Sequence, residues 1–330
     1  MNNDQPDLPV QDTNAQALQA KLSAVQKGYF QDHFAGDFVL PGPKRDIIMH
    51  RGYWARQNIF KVLVERYLSI DPETEKQIIS LGCGYDTLFF NLNLEEKYNA
   101  KHNKYVFYEV DLEEVVKKKI AKINNSPNMK KYYPELIDKN DKQTNTLMGD
   151  RYRIFPCDLT HLDDFKAKLE KYGVDFSKPT FVFAECVLTY IESQYTNNIL
   201  QFLQQSFDQV MLMDYEMCNP QTPFGKQMVK NFQLKGCPLK GIHDYPTIES
   251  QIERLKKMNY NEIEIYDMLT IYNQCCDQNE RHLIEKLELL DEFEEWNIFQ
   301  QHYFISLAFA HKFENEVTKK YKENCKLKMN

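Results

Sequence analysis

Apolar runs that alternate with helical stretches constrain this chain of 330 residues more than any other feature of its sequence. Five such runs predict strands at 77–82, 105–111, 151–158, 179–186 and 208–216, and segments with helical periodicity follow the first four. The runs are continuously apolar, which is typical of strands that are buried on both faces. The pattern therefore predicts an α/β fold in which helices cover both sides of a parallel sheet.

Further helices and strands flank this core. We predict helices at 13–32 and 51–70 before the first strand, and two late strands at 262–268 and 302–312. The segment 124–150 is polar and rich in Asn and Lys, and we predict a loop insertion there. With the late strands, the sheet is expected to contain seven strands.

The predicted organisation is a single domain between two polar ends. No internal repeat is found in the sequence. The predicted parts are a disordered lead-in at 1–12, one domain at 13–312 and a frayed polar tail at 313–330, and the domain comprises N-terminal helices at 13–70, a Rossmann-like core at 77–216 and a substrate-side and C-terminal part at 217–312.

Composition argues against several classes of partner. The net charge of −7 and the pI near 5.7 disfavour a nucleic-acid partner, which requires a basic surface. Apolar runs fall short of the ~20 residues that cross a bilayer, and the N-terminus lacks the features of a signal peptide. We therefore expect a protein that makes no membrane contact and is cytoplasmic, with a nuclear location as a further option.

Cysteine and histidine spacings predict neither a metal site nor a disulfide framework. The eight cysteines form no Cys-x-x-Cys pair, and no two of the eight histidines are four residues apart. Buried, reduced cysteines are the simpler interpretation.

A glycine turn directly follows the first strand, in the segment ISLGCGYDT at 79–87. Gly82 and Gly84 permit left-handed backbone angles and a close approach to a ligand, and the carboxyl end of a parallel strand is where nucleotides bind. Thr87 replaces the third glycine of the dinucleotide pattern, and the Lys-Ser/Thr pair of a P-loop is missing. A nucleotide site is the functional interpretation, and a plain strand–helix turn is the alternative.

Carboxylates end the next three strands. Asp111 lies 29 residues after Gly82 (111 − 82) and can accept both ribose hydroxyls, although a helix N-cap is an equal alternative. Asp158 can accept from an adenine amino group while Leu159 packs on the ring; the alternative is a cap or turn residue. Glu185 closes an apolar run, where a buried charge needs a partner such as a sulfonium or amino group. Together these residues predict an adenosine-shaped site along one edge of the sheet.

Seven strands with two late in the chain resemble the class I S-adenosylmethionine-dependent methyltransferase fold, in which a final hairpin adds an antiparallel strand. The chain also resembles leucine carboxyl methyltransferases, which methylate the C-terminal leucine of the protein phosphatase 2A catalytic subunit. This resemblance covers roughly residues 18–311. The matching segments are RGYWAR (51–56), LGCGYDT (81–87), YEVD (108–111), CDL (157–159), AECVLTY (184–190) and LELLDEFEEW (287–296).

The resemblance implies that S-adenosylmethionine is the cofactor. Lys21 and Arg56 would hold its carboxylate, and Gly82 would lie against it. A solvated helix lysine is the alternative for Lys21. The remaining implied contacts are Asp111 with the ribose, Asp158 and Leu159 with the adenine, and Glu185 near the methionine moiety.

The resemblance also implies a protein substrate, the phosphatase 2A catalytic subunit, and we expect the enzyme to be a monomer. Because a terminal carboxyl group has a pKa of about 3.3–3.7, the substrate is already an anion and needs no general base. We expect Arg51 or Tyr190 to hold the leucine carboxylate, with a surface or cap arginine and simple packing as the alternatives. Tyr215 and Glu216 are further candidates for lining the peptide entrance.

Three other functions remain open at this point. A methyltransferase of the related tRNA-modifying type would share the catalytic domain. An NAD-dependent oxidoreductase would share the glycine turn and the acidic residue. A phosphatase-binding module with a decayed cofactor site is the non-enzymatic alternative.

Overall fold

A computed structural model describes residues 8–328 of the chain, with side chains from residue 13 onward. Over these residues one sheet contains all nine strands, which are β1 (Lys76–Leu81), β2 (Tyr105–Asp111), β3 (Asn140–Asp141), β4 (Thr146–Met148), β5 (Tyr152–Pro156), β6 (Thr180–Glu185), β7 (Gln209–Met217), β8 (Glu262–Asp267) and β9 (Tyr303–His311).

The strand order is β3-β4-β5-β2-β1-β6-β7-β9-β8. The five central strands β5, β2, β1, β6 and β7 are parallel. β9 runs antiparallel to β7 and carries β8 on its outer side. The predicted α/β class, with a parallel core and a late antiparallel strand, is confirmed.

Helices flank the sheet along the whole described chain. They are α1 (Leu8–Gln26), α2 (Ala35–Phe38), α3 (Ile47–Ser69), α4 (Leu88–Leu94), α5 (Glu113–Asn125), α6 (Pro127–Tyr132), α7 (Leu162–Lys171), α8 (Ser193–Ser206), α9 (Pro223–Leu234), α10 (Ile248–Lys257), α11 (Met268–Thr270), α12 (Gln278–Glu285), α13 (Phe293–Gln300) and α14 (Glu316–Asn324).

Neighbouring residues of the central strands pack into opposite layers of the core. Ile78 of β1 belongs to the apolar cluster that contains α3, whereas Ile79 belongs to the cluster that contains α7 and α8. Both side chains are fully buried, and burial of each contributes about 1.5–3 kcal/mol. Burial on both faces explains why these strands are continuously apolar.

The prediction of seven strands is corrected to nine. The additional strands β3 and β4 form a hairpin that pairs antiparallel with β5, inside the segment that we predicted to be a loop at 124–150. α6 lies in the same segment and begins where the Ser126 side chain accepts a hydrogen bond from the Met129 N–H. Met129 and Leu147 are fully buried. Because most of the neighbouring residues are polar, Met129 and Leu147 do not form an apolar pattern that would predict these elements from the sequence.

The frayed tail predicted at 313–330 is wrong for the part that the structure describes. α14 begins with a capping box between Asn315 and Thr318. The Tyr321 ring is fully buried, and its centroid lies 5.2 Å from that of Tyr67 on α3. Leu327 is also buried and donates its N–H to Glu264. These apolar anchors fix a segment whose other residues are mostly lysine and glutamate.

The disordered lead-in predicted at 1–12 is wrong for residues 8–12, which belong to α1. Residues 1–7 lie outside the described part of the chain. Between residues 8 and 328, none of the helices combines the length and the apolar character needed to cross a membrane.

Candidate functional site

A cavity lies where β1 and β6 end, which is the edge of a parallel sheet where ligands bind. α1 and α3 supply the rest of its lining. The lining residues are Asn14, Ala17, Leu18 and Lys21 of α1, Tyr53, Arg56 and Gln57 of α3, Ser80 of β1, residues 82–86, and Phe183 and Glu185 of β6.

The glycine turn forms one wall of this cavity. Gly82 and Gly84 have φ angles of +61° and +48°, in the left-handed backbone region that residues with a Cβ rarely adopt. A Cβ on Gly82 would also lie 2.5 Å from Val187 Cγ2, and one on Gly84 would lie 2.8 Å from Asn14 Oδ1. The backbone therefore favours glycine at both positions, and the close packing of Val187 adds a second reason at Gly82.

Lys21 is buried at the α1 side of the cavity, where its ammonium group lies between two carboxylates. Its Nζ is 2.9 Å from Asp32 Oδ2 and 3.4 Å from Asp86 Oδ1, and it donates to Thr87 Oγ1 at 3.1 Å. Burial alone would lower the pKa of Lys21, but the two carboxylates outweigh it and raise the pKa. Burial opposes ionisation of Asp32 too, and Lys21 nevertheless lowers that pKa to about 2. The ion pair of Lys21 and Asp32 is therefore fully charged at neutral pH.

Arg56 forms the second ion pair of the cavity. Its Nε lies 2.5 Å from Glu185 Oε2, and its guanidinium carbon lies 4.4 Å from the ring centroid of Tyr215 and 5.8 Å from that of Tyr53. Burial raises the pKa of Glu185, and Arg56 opposes this effect. The aromatic faces stabilise the guanidinium while keeping water away from it.

The formal charges of the acidic and basic side chains at the cavity sum to one net negative charge. Lys21 and Arg56 are the two cations, and Asp32, Asp86 and Glu185 are the three carboxylates that contact them. Such a set favours a ligand that carries its own carboxylate together with more than one positive group.

Asp111 joins the glycine turn to the end of β2. Its two carboxylate oxygens accept the N–H groups of Gly84 and Leu112, both at 2.7 Å. Burial raises the pKa of Asp111 to about 6, although both N–H groups oppose this shift. Each carboxylate oxygen can accept a further hydrogen bond, so a ribose hydroxyl can still donate to Asp111.

Asp158 and Leu159 follow β5 on the same edge, but they do not line the cavity. Asp158 Oδ1 accepts the N–H and the hydroxyl of Thr160, which is the turn geometry that we gave as the alternative role. Leu159 is buried in the core layer that contains α7 and α8. Contact of either residue with an adenine stays a prediction.

Arg51 is not brought to the cavity. Its guanidinium is buried and donates to the carbonyl oxygens of Glu285 at 3.3 Å and Glu288 at 3.0 Å. The physical reason is helical geometry, because a separation of five residues turns Arg51 about 140° away from Arg56. Its predicted role at the leucine carboxylate gains no support from this position.

Tyr190 also lies outside the cavity lining. It ends a short 3₁₀ turn, Leu188–Tyr190, that follows β6. Its ring meets that of Phe232 edge to face, with the centroids 6.1 Å apart. Tyr190 therefore faces α9.

Asp32, Asp86 and Tyr53 are the site residues that the sequence analysis missed. Asp86 lies inside the segment LGCGYDT and Tyr53 inside RGYWAR, so both stood in recognised motifs. Asp32 had no such signal, because its partner Thr87 is 55 residues away.

The described residues contain neither a cluster of metal-ligating side chains nor a disulfide bond. Among residues 8–328, no three His, Cys, Asp or Glu side chains come together as metal ligands. All eight cysteines are free thiols.

Sequence comparison agrees with this geometry. A family model described as leucine carboxyl methyltransferase matches residues 9–204. The leucine carboxyl methyltransferase 1 homolog of Arabidopsis thaliana is 34% identical over 91% of this chain and 88% of its own length. Leucine carboxyl methyltransferase 1 of Bos taurus is 32% identical over 92% of this chain and 91% of its own length.

A second kind of relative shares only part of its length with this chain. The tRNA wybutosine-synthesizing protein 4 of Rattus norvegicus is 31% identical over 91% of this chain, which spans 44% of that protein. The match to the family model and the near full-length relatives nevertheless agree with each other. The chain is therefore a methyltransferase and belongs to the leucine carboxyl methyltransferase family.

Proposed function

We propose that this methyltransferase uses S-adenosylmethionine to methylate the C-terminal leucine carboxylate of the protein phosphatase 2A catalytic subunit. The proposal rests on two ion pairs beside the glycine turn, Lys21 with Asp32 and Arg56 with Glu185. They occur in a chain of the leucine carboxyl methyltransferase family. Two of its relatives carry the name leucine carboxyl methyltransferase 1 or a homolog of it.

The charges at the cavity suit S-adenosylmethionine. This molecule has a carboxylate, an ammonium group and a sulfonium, so its net charge is opposite to that of the cavity. Lys21 and Arg56 are the groups that would hold its carboxylate, and Glu185 and Asp86 would face its cations. Asp111 would accept from the ribose. When bound, the cofactor supplies an electrophilic methyl group.

The enzyme then has to position the substrate carboxylate, which needs no activation by a base. A terminal carboxylate is ionised at neutral pH, so the site requires no general base. The side chains must bring the reacting atoms within ~3–3.5 Å and exclude water. Tyr53 and Tyr215, which flank Arg56, are suited to keeping water out of this part of the site.

An apolar recess next to the cavity is our candidate for the leucine side chain. It lies between α9 and the end of α13. Tyr303 at its wall stacks on Tyr215, with centroids 5.5 Å apart and rings inclined by 13°, and Tyr215 covers Arg56. This aromatic contact connects the recess to the cofactor cavity. The other apolar lining residues are Phe224, Met228, Phe232 and Phe299.

Transfer of a labelled methyl group tests the proposal directly. The enzyme is mixed with labelled S-adenosylmethionine and recombinant phosphatase catalytic subunit, either complete or lacking its last leucine. We expect base-labile label, as in an ester, on the complete subunit alone. Equal labelling of the shortened subunit, or none of either, would refute the proposed substrate.

A tRNA substrate is the second candidate, because the rat wybutosine-synthesizing protein is 31% identical over 91% of this chain. The chain spans only 44% of that protein and carries a net charge of −7, which is unfavourable for binding a polyanion. A third reaction with tRNA in place of the phosphatase distinguishes the two substrates. The cytoplasmic location and the monomeric state stay predictions from the sequence.

A further inference from the structure

Glu216 of β7 binds the backbone of the turn that follows β6. Its side chain is buried, and its Oε1 accepts the N–H groups of Val187, Leu188 and Thr189 at 2.8, 2.7 and 3.3 Å. Three consecutive amides therefore converge on one carboxylate oxygen. Burial raises the pKa of Glu216 to about 7, and the three amides oppose this shift because charge-assisted hydrogen bonds are roughly twice as strong as neutral ones.

The turn held by Glu216 needs an external constraint. Its first residue, Cys186, has a φ angle of +55°, in the left-handed region that costs a residue with a Cβ about 1–3 kcal/mol. The N–H of Cys186 donates to the Tyr215 carbonyl, so β7 restrains this turn at two successive positions. Without these bonds, the backbone can relax to a less strained conformation.

The same turn contacts residues of both the cofactor cavity and the apolar recess. Val187 packs so closely on the glycine turn that a Cβ on Gly82 would lie 2.5 Å from it. Tyr190 ends the turn and meets Phe232, which lines the apolar recess. A shift of this short turn therefore moves the wall of the cofactor cavity together with the wall of the recess.

We propose that Glu216 is a positioning residue for methyl transfer, which holds the 187–190 turn so that Val187 supports the Gly82 turn and Tyr190 faces the recess. Glu216 does not line the cofactor cavity, and it acts through the three amides. The proposed effect on cofactor binding does not depend on which substrate is methylated. The effect through Tyr190 rests on the proposed function.

Asp214 provides a matched control for Glu216. It precedes Glu216 by two residues on β7, is also buried, and lines the same small cavity. Its Oδ1 has no hydrogen-bond partner among the described residues, and it accepts none of the three amide bonds of the turn. Burial and the neighbouring Glu216 raise the pKa of Asp214, and Arg254, which also lines this cavity, opposes the shift.

The test compares Glu216→Gln with Asp214→Asn in the complete chain. Affinity for S-adenosylhomocysteine is measured by calorimetry, and exchange of the amide protons of residues 187–189 is followed by NMR or mass spectrometry. We expect Glu216→Gln to weaken binding about 10-fold and to speed exchange of these amides, because a neutral oxygen holds three donors less tightly. Asp214→Asn should remain within about 2-fold of the wild type in both measurements.

A Val187→Ala variant keeps Glu216 intact and tests the route to the cofactor even if Glu216→Gln fails to fold. It should weaken S-adenosylhomocysteine binding several-fold with little change in melting temperature. Wild-type affinity in Glu216→Gln or in Val187→Ala, or an equal loss in Asp214→Asn, overturns the proposed role. A wild-type enzyme that binds S-adenosylhomocysteine but methylates no phosphatase refutes the proposed substrate and leaves these comparisons valid.

Discussion

Arg56 and Glu185 form a largely buried ion pair that joins α3 to the end of β6, with 16% and 13% of their side chains exposed. Their side chains lie 2.5 Å apart at Nε and Oε2, and 129 residues separate them in the chain. Removal of one partner from such a pair leaves an uncompensated buried charge, which is strongly destabilising. The pair therefore contributes to the fold and also presents a cation to the cavity.

Replacement of Arg56 by Ala tests its role in cofactor binding. We expect S-adenosylhomocysteine to bind about 10–150-fold more weakly, corresponding to about 1.5–3 kcal/mol for a charged hydrogen bond. Arg66→Ala is the control, since Arg66 lies on the same helix and donates to the Lys326 carbonyl outside the cavity. Calorimetry that finds the same affinity in Arg56→Ala and in the wild type would exclude this role.

The strand-end carboxylates were predictable because parallel strands present their carboxyl ends at one edge. Asp111 and Glu185 were found in this way, and both lie at the ends of their strands in the structure. Asp32 was not, because it reaches Lys21 and Thr87 only after α1 has packed on the glycine turn. Contacts between distant parts of the chain leave no local periodicity in the sequence.

Short elements were missed for a related reason. α14 is anchored by Tyr321, Cys325 and Leu327, which stand among lysines and glutamates and do not form a broad apolar face. The β3–β4 hairpin likewise has only one buried apolar side chain, that of Leu147, which pairs with Ile154 of β5. α3 supplies the stabilising surface for α14, and β5 and α5 supply it for the hairpin.

Protonation of Asp111 should be visible in the pH dependence of stability. Its pKa is raised from 3.8 to about 6 by burial, so the folded state favours the protonated form. The resulting contribution to stability is fully present below pH 3.8 and is lost as the pH rises through about 6. This loss is at most on the order of 3 kcal/mol.

Asp111→Asn provides the comparison, because an amide does not titrate. Between pH 4 and 6, the free energy of unfolding should fall less steeply with rising pH in the variant than in the wild type. Chemical denaturation at a series of pH values measures the two slopes. Parallel slopes would show that Asp111 titrates near its ordinary pKa.

Arg51→Ala should lower the stability of the protein. The guanidinium donates to the carbonyls of Glu285 and Glu288, so its loss leaves these acceptors without their partner and costs about 1–3 kcal/mol. Affinity for S-adenosylhomocysteine should stay unchanged. A variant of normal stability with a raised KM for the phosphatase would instead support the role at the leucine carboxylate that the sequence suggested.

Tyr190→Phe removes a hydroxyl and keeps the ring that packs on Phe232. If Tyr190 contacts the substrate carboxylate, turnover should fall, and cofactor affinity should change little. Steady-state kinetics together with calorimetry separate these two quantities. Full activity in the variant would limit Tyr190 to packing.

Met228→Trp tests whether the apolar recess receives the leucine side chain. Met228 is buried at the recess, and the larger indole should occupy the space proposed for the substrate. We expect KM for a peptide ending in leucine to rise about 10-fold or more, with S-adenosylhomocysteine affinity unchanged. Leu234→Trp, an exposed position on the same helix, is the matched control. An unchanged KM in Met228→Trp would place the leucine side chain elsewhere.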